Sequence, residues 1–176
     1  MKNDIREEVE LKKGVSAAIA ESIITITGPK GKVVRGFLHP KVKVFLEGDR
    51  IIITAAKSTK REKKIIGSFQ AHLKNMVKGV LEPHTYHLKI CSSHFPMSVA
   101  VSGREFSVKN FLGESVPRKV TLKDNAEVKV NGSDIVVTSP DKEIAGQVAA
   151  QIETLCRITK RDRRVFQDGC YIYSIS

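Results

Sequence analysis

Two runs of basic residues are the parts of this sequence best suited to binding a polyanion. The first run, residues 57–64, reads KSTKREKK and carries five positive charges against one negative charge. The second run, residues 157–164, reads RITKRDRR and has the same balance of charges. Arginine grips phosphates with a two-pronged fork and stacks on bases, so the second run favours RNA over a membrane. The predicted RNA-binding residues are the basic members of both runs: Lys57, Lys60, Arg61, Lys63, Lys64, Arg157, Lys160, Arg161, Arg163 and Arg164.

Both runs also have a structural alternative. The first run is expected to form the loop that enters a helix, and a basic loop can be a solvated surface without a partner. Because the helix dipole opposes positive charge at this end, Lys63 and Lys64 act against local stability, which favours a binding role. The second run is expected to be a tail just outside a packed domain. Part of its charge can complement the C-terminal end of a second helix, but the run carries more charge than that needs.

Four residues that can bind a metal lie within eleven positions: His84, His87, Cys91 and His94. In a strand, His87 and Cys91 share a face but stand about 13 Å apart, too far to hold one ion without a bulge. We therefore expect the histidines to line a surface strand, with Cys91 packed inside. A metal-dependent enzyme that uses this cluster is the minor alternative.

No catalytic residue, metal site or cofactor is predicted. No orienting group or nucleophile elbow surrounds any serine or cysteine in the sequence. The segment GPKGK at residues 28–32 lacks the GxxxxGK[ST] spacing of a nucleotide-binding loop, and no helix follows it. This segment is expected to be a hairpin turn with an exposed lysine.

The elements that must position these residues come from a module that is present twice. The sequence GDRIIIT at residues 48–54 is matched by GSDIVVT at residues 132–138. Residues 65–77 and 144–156 then match as amphipathic segments, in the same order in both halves. The offset between matching positions falls from 84 to 79 across the loop before the helix. Small insertions in connections explain this change, because loops tolerate them first.

Each copy is predicted to be an α+β module of short antiparallel strands and one helix. The first helix is expected from about Thr59 to Gly79, ending before Pro83, and either Ser139 or Asp141 is expected to cap the second. The predicted strand regions are 15–27 with a break at 21–22, 32–38, 42–46, 50–54, 86–91, 97–102, 105–110, 126–131 and 134–138. The fold class is therefore two tandem homologous α+β domains, each with small antiparallel sheets packed on one main helix, at residues 1–82 and 83–176.

Net charge and composition limit the class of protein. The 176 residues have a formal net charge of +11 and a pI near 9.7, which predicts a polyanionic partner. The charge is concentrated at +9 in residues 1–80 and +3 in residues 157–176, with −1 between them. The hydrophobic content of 41% argues against disorder, and the absence of Trp argues against an aromatic ligand pocket.

The cysteines and the apolar runs predict where the protein works. The three cysteines form no CxxC pair, which favours a reducing compartment over a disulfide framework. The start of the chain is acidic, and no segment has the roughly 18 apolar residues of a membrane span. We therefore expect a soluble cytoplasmic protein with no membrane partner.

A family resemblance is carried by the last third of the chain. The motif is Arg161-x-x-Arg164-x-Phe166-x-Asp168-Gly169-x-Tyr171-Ile172, preceded by Gln151 and by GQVAA at residues 146–150. It resembles the C-terminal signature of large-subunit ribosomal protein six, in the archaeal and eukaryotic branch of that family. The segments NMVKGV at residues 75–80 and GPKG at residues 28–31 also look like this family. The similarity covers nearly the whole chain.

The resemblance implies a structural role in the ribosome. Members of this family have two similar α+β domains and bind large-subunit rRNA near the stalk base, the sarcin-ricin loop and the translation-factor site. The implied partners are large-subunit rRNA, the neighbouring ribosomal proteins of the stalk base and, indirectly, translation factors. The family's RNA contacts lie largely in the second domain, where residues 157–164 fall, whereas the role of the first run rests on charge alone.

One departure from the family and one rival function remain. Cys170 stands where the family usually has an aliphatic residue, so we expect this side chain to be buried in a final strand. A ribosome-free RNA-binding regulator with the same basic surface is the main alternative function.

Overall fold

The structure is a computed structural model that describes residues 3–176. The chain divides into two compact units, one that ends at Pro83 and one that comprises His84–Ser176. Each unit combines small antiparallel sheets with one main helix. The predicted class of two tandem α+β domains is therefore confirmed.

The described residues of the first unit, 3–83, form six strands and one helix. They are β1 (Asn3–Glu10), β2 (Ser16–Ala20), β3 (Ile23–Gly28), β4 (Gly31–Gly36), β5 (Lys43–Glu47), β6 (Arg50–Ser58) and α1 (Lys60–Leu81). One sheet has the order β1-β6-β5 and the other the order β2-β3-β4, with antiparallel neighbours throughout. The stripe of α1 that contains Ile66, Leu73 and Val77 is buried with isoleucines of β3 and β6. The GPKG segment forms the predicted turn, with Gly28 paired to Gly31.

The second unit contains seven strands and one main helix. They are β7 (His84–Cys91), β8 (Ser98–Ser102), β9 (Glu105–Lys109), β10 (Arg118–Thr121), β11 (Glu127–Asn131), β12 (Asp134–Ser139), α2 (Lys142–Leu155) and β13 (Gly169–Ile175), with a 3₁₀ turn at Phe111–Gly113. The sheets have the orders β11-β12-β7-β13 and β10-β9-β8. Cys170 is buried as expected, and its Sγ lies 3.6 Å from the Sγ of the buried Cys156.

The strand orders reproduce the repeat that the sequence predicts. The sheet β1-β6-β5 of the first unit corresponds to β7-β12-β11 of the second, and β2-β3-β4 corresponds to β8-β9-β10. The matched segments at residues 48–54 and 132–138 both lead into a central strand. Alternate residues are buried in β12, whereas three consecutive isoleucines are buried in β6. The strand β13 is the addition, and it pairs with the edge of β7 opposite β12.

Two strands were not predicted. The strand β1 pairs with β6, but five of its eight residues are charged and four of those are exposed, so it lacks the apolar alternation of a typical strand. Its carboxylates are paired instead, as in the contact between Glu8 and Arg50. The strand β10 has only four residues, too few for a periodic signal. The helix α1 also continues two residues beyond the predicted end at Gly79, and Asp141 is the residue that caps α2.

The placement of both basic runs needs correction. The first run is not a loop, because Lys57 and Ser58 are the last two residues of β6, Thr59 caps α1 and the remaining residues lie within the helix. The second run is not a tail, because it connects α2 to β13. Its segment is tied to the second domain by the buried residues Ile158 and Asp168, and the chain then continues as a sheet strand.

Candidate nucleic-acid interface

The first basic surface is supported by a capped helix start. Thr59 and Glu62 form a reciprocal capping box, in which the Thr59 amide donates to Glu62 Oε2 at 2.7 Å. The Arg61 amide donates to Thr59 Oγ1 at 3.3 Å. Hydrogen bonds from Thr59 lower the pKa of Glu62 to about 2, so this carboxylate stays charged at the positive end of the helix dipole. The Glu62 side chain is buried, and its Oε1 forms an ion pair with Lys41 Nζ at 3.6 Å.

The cations around this helix start face solvent. The exposed residues are Lys57, Lys60, Arg61, Lys63 and Lys64. Within residues 3–176, no carboxylate forms an ion pair with any of these five side chains. The acidic member of the run, Glu62, points inward and leaves their charge uncompensated. We call these five residues the helix-start cluster.

The second basic surface is supported by a buried carboxylate. Asp168 is 2% exposed and accepts the backbone amides of Ser93 at 2.7 Å and His94 at 3.0 Å. Burial raises the pKa of Asp168, but hydrogen bonds from His94 and Ser93 outweigh this effect and keep it below its usual value. Asp168 thereby fastens the segment after the second basic run to the loop that follows β7.

Glycine and tyrosine complete this support. Gly169 leads into β13 with a φ of +151°, and a Cβ there would lie 3.2 Å from the Tyr171 ring. The Tyr171 hydroxyl donates to the Asp168 carbonyl at 3.2 Å. The signature residues thus build a loop of defined shape between α2 and β13.

The cations of this loop differ in how they are held. All five are exposed: Arg157, Lys160, Arg161, Arg163 and Arg164. We call them the loop cluster. Arg164 forms a two-pronged ion pair with Asp162, with Nη2 at 2.8 Å from Oδ2. Arg161 lies over the Phe166 ring, 4.8 Å from its centroid. In the part of the chain that the structure describes, the other loop-cluster cations have no carboxylate partner.

The C-terminal end of α2 is satisfied by a residue outside the loop cluster. Arg118 of β10 donates from Nη1 to the Leu155 carbonyl at 2.7 Å and to the Arg157 carbonyl at 3.3 Å. Among the described hydrogen bonds, the side chain that donates to these carbonyls is therefore Arg118 rather than one from the second run. The loop cluster is left free for another role.

Comparison with known proteins agrees with these features. The sequence profile of the family described as "Ribosomal protein L6" matches residues 12–83 and 95–169. "Large ribosomal subunit protein uL6" of Methanocella arvoryzae is 41% identical over 95% of both chains. The proteins of the same name from Haloarcula marismortui and Saccharolobus solfataricus are also 41% identical, over 95% and 96% of this chain and 94% of their own.

The chain belongs to the ribosomal protein L6 family. The two matched segments fall in the two structural units, so the family's domain is present twice, as the repeat predicts. The archaeal relatives also agree with the branch that the signature resembles. Among the described helices, none is long and apolar enough to cross a membrane.

The histidines and the cysteine between residues 84 and 94 are spread over β7 and the loop that follows it. Across residues 3–176, no group of three or more His, Cys, Asp or Glu side chains is arranged to hold a metal ion. The prediction of surface histidines with Cys91 packed inside was partly wrong. His84 is buried, and Cys91 is only half-buried. Both lie on β7, which has neighbours on both sides. His94 lies beyond the strand, bound to Asp168.

Sequence reasoning missed the supporting residues of the loop cluster. Phe166 and Asp168 were noted only as parts of a family signature, and His94 only as a histidine of a surface strand or, in the minor alternative, a metal ligand. Their signal was present in that signature, whose residues have aromatic and acidic side chains beside a glycine. The structure gives these side chains a common task, which is to hold the loop that carries the basic residues.

Proposed function

We propose that this chain binds large-subunit rRNA near the stalk base, close to the sarcin-ricin loop and the translation-factor site. Membership of the ribosomal protein L6 family makes it a protein of the large ribosomal subunit, with a part in translation. The family is structural, and we propose that this member has no catalytic activity. Its neighbours would be ribosomal proteins of the stalk base, and translation factors would be affected indirectly, on cytoplasmic ribosomes.

The main support for RNA binding is that most of the clustered cations have no carboxylate partner among the described residues. Of the ten predicted RNA-binding side chains, only Arg164 has a carboxylate partner among the described residues. Basic residues elsewhere are often paired, as in the contacts of Arg50 with Glu8 and of Lys119 with Glu105. Unpaired cations held close together repel one another, and phosphates relieve that repulsion while releasing counterions.

The two supports favour recognition of a folded RNA. A helix start and a pinned loop hold the backbone under each cluster, so the backbone positions that carry the charges are set before RNA binds. Such an arrangement suits the phosphates of an RNA helix, which is read mainly by its shape and backbone. Most of the affinity is then expected to come from phosphate contacts.

Sedimentation of ribosomes tests the proposal. Cell extract is separated on a sucrose gradient in high salt, and the tagged chain is followed across the fractions. We expect the chain to remain with the large subunit, since a ribosomal protein has many simultaneous contacts there. Recovery only in ribosome-free fractions would instead support the RNA-binding regulator.

Position within the subunit needs a second measurement. Crosslinking of the purified large subunit, followed by sequencing of the RNA attached to this chain, is expected to recover the sarcin-ricin loop region and its neighbouring helices. Crosslinks confined to distant rRNA helices would refute the proposed location but leave membership of the large subunit intact.

A further inference from the structure

Four side chains of the second domain form a column that leads from the interior to the surface. The buried carboxylate of Asp168 lies 2.6 Å from His94 Nδ1. The His94 ring stacks on Phe166 with centroids 4.6 Å apart and planes 26° apart. Arg161 Cζ lies 4.8 Å from the centroid of the same Phe166 ring. Each member thus restrains the next, and the guanidinium of Arg161 is the exposed end.

The column changes what Arg161 can contribute to binding. An exposed arginine has about 2 kcal/mol of rotamer entropy to lose when a ligand orders it. A guanidinium that already lies against an aromatic ring has lost part of that freedom before the ligand arrives. Arg157 and Arg163 have no recorded ring partner in the described structure, so they retain this cost.

The donors of Arg161 are available for a ligand. The Phe166 ring contacts the guanidinium as a cation–π pair, which does not use its N–H groups as conventional hydrogen-bond donors. Across residues 3–176, no hydrogen bond from the Arg161 side chain is recorded. A planar fork with free donors matches the oxygens of a phosphate. Arg164 differs, since Asp162 already occupies its fork.

We propose that Asp168, His94 and Phe166 are positioning residues that hold Arg161 as a preformed contact for one RNA phosphate. This inference rests on the proposed rRNA binding and adds a mechanism to it. It makes Arg161 the strongest single contact of the loop cluster. It also gives His94, which the sequence analysis expected on a surface strand, a place in RNA recognition.

A double-mutant cycle separates positioning from general stability. The affinity for a large-subunit rRNA transcript is measured for the full chain and for Phe166→Leu, Arg161→Ala and the double variant. Leucine keeps apolar packing but removes the ring, so Phe166→Leu is expected to weaken binding about two- to tenfold, the cost of ordering one side chain. With Arg161 already replaced by alanine, the same change is expected to have less than a twofold effect.

Arg163 supplies the matched control because it lies in the same loop without the stack. In an Arg163→Ala background, Phe166→Leu is expected to retain its full two- to tenfold effect. Phe166→Tyr keeps the ring and is expected to restore wild-type affinity. If Phe166→Leu proves too unstable to purify, His94→Ala replaces it in the cycle, since the His94 side chain is 34% exposed.

The outcomes separate this inference from the function on which it rests. Equal effects of Phe166→Leu in all backgrounds, or no effect in the wild type, would overturn the positioning role while leaving rRNA binding intact. Failure of the wild-type chain to bind the transcript would refute the proposed function and this inference together.

Discussion

The helix-start cluster and the loop cluster present similar charge on opposite kinds of support. In the first cluster, the capping box of Thr59 and Glu62 sets the backbone, and the side chains extend freely into solvent. In the second cluster, an irregular loop is held by the buried Asp168, and one arginine lies on an aromatic ring. The first support orders only the backbone, whereas the second also orders a side chain. We therefore expect the loop cluster to contribute more affinity for each charge.

The repeat shows that the scaffold does not dictate where the charge lies. The start of α2 matches the start of α1, but it reads Asp141-Lys142-Glu143 and has no basic cluster. In the same way, α1 ends at Leu81 and β7 begins at His84, with no loop like that of residues 157–168. Each domain thus carries one of the two basic clusters at one end of its helix, and the two domains use different ends.

Charge reversal in the loop cluster is expected to have the largest effect. Replacing Arg161, Arg163 and Arg164 with Glu removes three phosphate contacts and adds repulsion, so binding to the rRNA transcript should weaken more than about a hundredfold. The change can be measured by filter binding at constant salt. The circular dichroism spectrum should stay the same, because all three side chains are exposed. Unchanged affinity would remove the loop from the interface.

Charge reversal at the helix start should lower affinity while raising stability. Lys60→Glu with Arg61→Glu removes two cations, and we expect binding to weaken about tenfold or more. Acidic residues in the first turn interact favourably with the helix dipole, so the free energy of unfolding should rise by roughly 0.5 kcal/mol. Urea unfolding of the full chain measures the second quantity. An equal loss of both affinity and stability would contradict a binding role for these cations.

Two lysines on the same helix provide the matched control. Lys74 and Lys78 are exposed and lie about 20 to 27 Å further along α1. Replacing both with Glu makes the same change in net charge. If this pair weakens RNA binding as much as the pair at the helix start, net charge rather than the helix-start cluster governs affinity.

Releasing Arg164 is expected to strengthen binding. Asp162→Asn removes the ion pair with Arg164 but keeps a side-chain oxygen that can accept the Arg164 amide, which now donates to Oδ1 at 2.9 Å. An exposed ion pair is worth about 0 to 1 kcal/mol, so the gain in affinity should be at most about fivefold. Asp124→Asn is the control, because it frees Arg104 elsewhere in the same domain. An equal gain from both variants would point to net charge alone.

Acid should weaken the support of the helix-start cluster through Glu62. The pKa of this residue is about 2 in the folded chain, against an ordinary value of 4.5. Because the folded pKa is lowered, its stabilising contribution is present above pH 4.5 and is lost as the pH falls toward 2. Glu62→Gln keeps hydrogen bonding without the charge, so its free energy of unfolding should depend less on pH in this window. Parallel pH profiles for the two proteins would contradict the role of the charge.

Much of the fold could be predicted because the central strands and helices have clear periodicity. The matching strands β6 and β12 combine buried isoleucines and valines with adjacent turn residues. The sequence therefore predicted both that they are strands and that they occupy equivalent positions in the two domains. The strand β1 was not predicted from the sequence because its exposed face is charged. The strand forms because it pairs with β6 despite the missing apolar pattern, and the local sequence does not show this pairing.

The candidate site was predictable in its charges but not in its supports. The cations form continuous runs, so their identity is visible in the sequence. The supports of the loop join residues far apart in the chain, such as His94 and Asp168, which are 74 positions apart. No spacing rule links such a pair. The run at residues 157–164 was interpreted as a tail because β13, the strand that follows it, pairs with the distant β7, and the local sequence does not show this pairing.

The salt dependence of rRNA binding tests the central claim most directly, because unpaired cations that neutralise phosphates must release counterions. Affinity for the large-subunit rRNA transcript is measured between 50 and 200 mM salt for the wild type and for a variant with all ten clustered cations changed to Gln. If about six phosphates are engaged, the wild-type affinity should fall on the order of a thousandfold over this range. The variant should bind weakly and with little dependence on salt. Wild-type binding that changes less than about tenfold, or a variant with the same slope, would contradict the account.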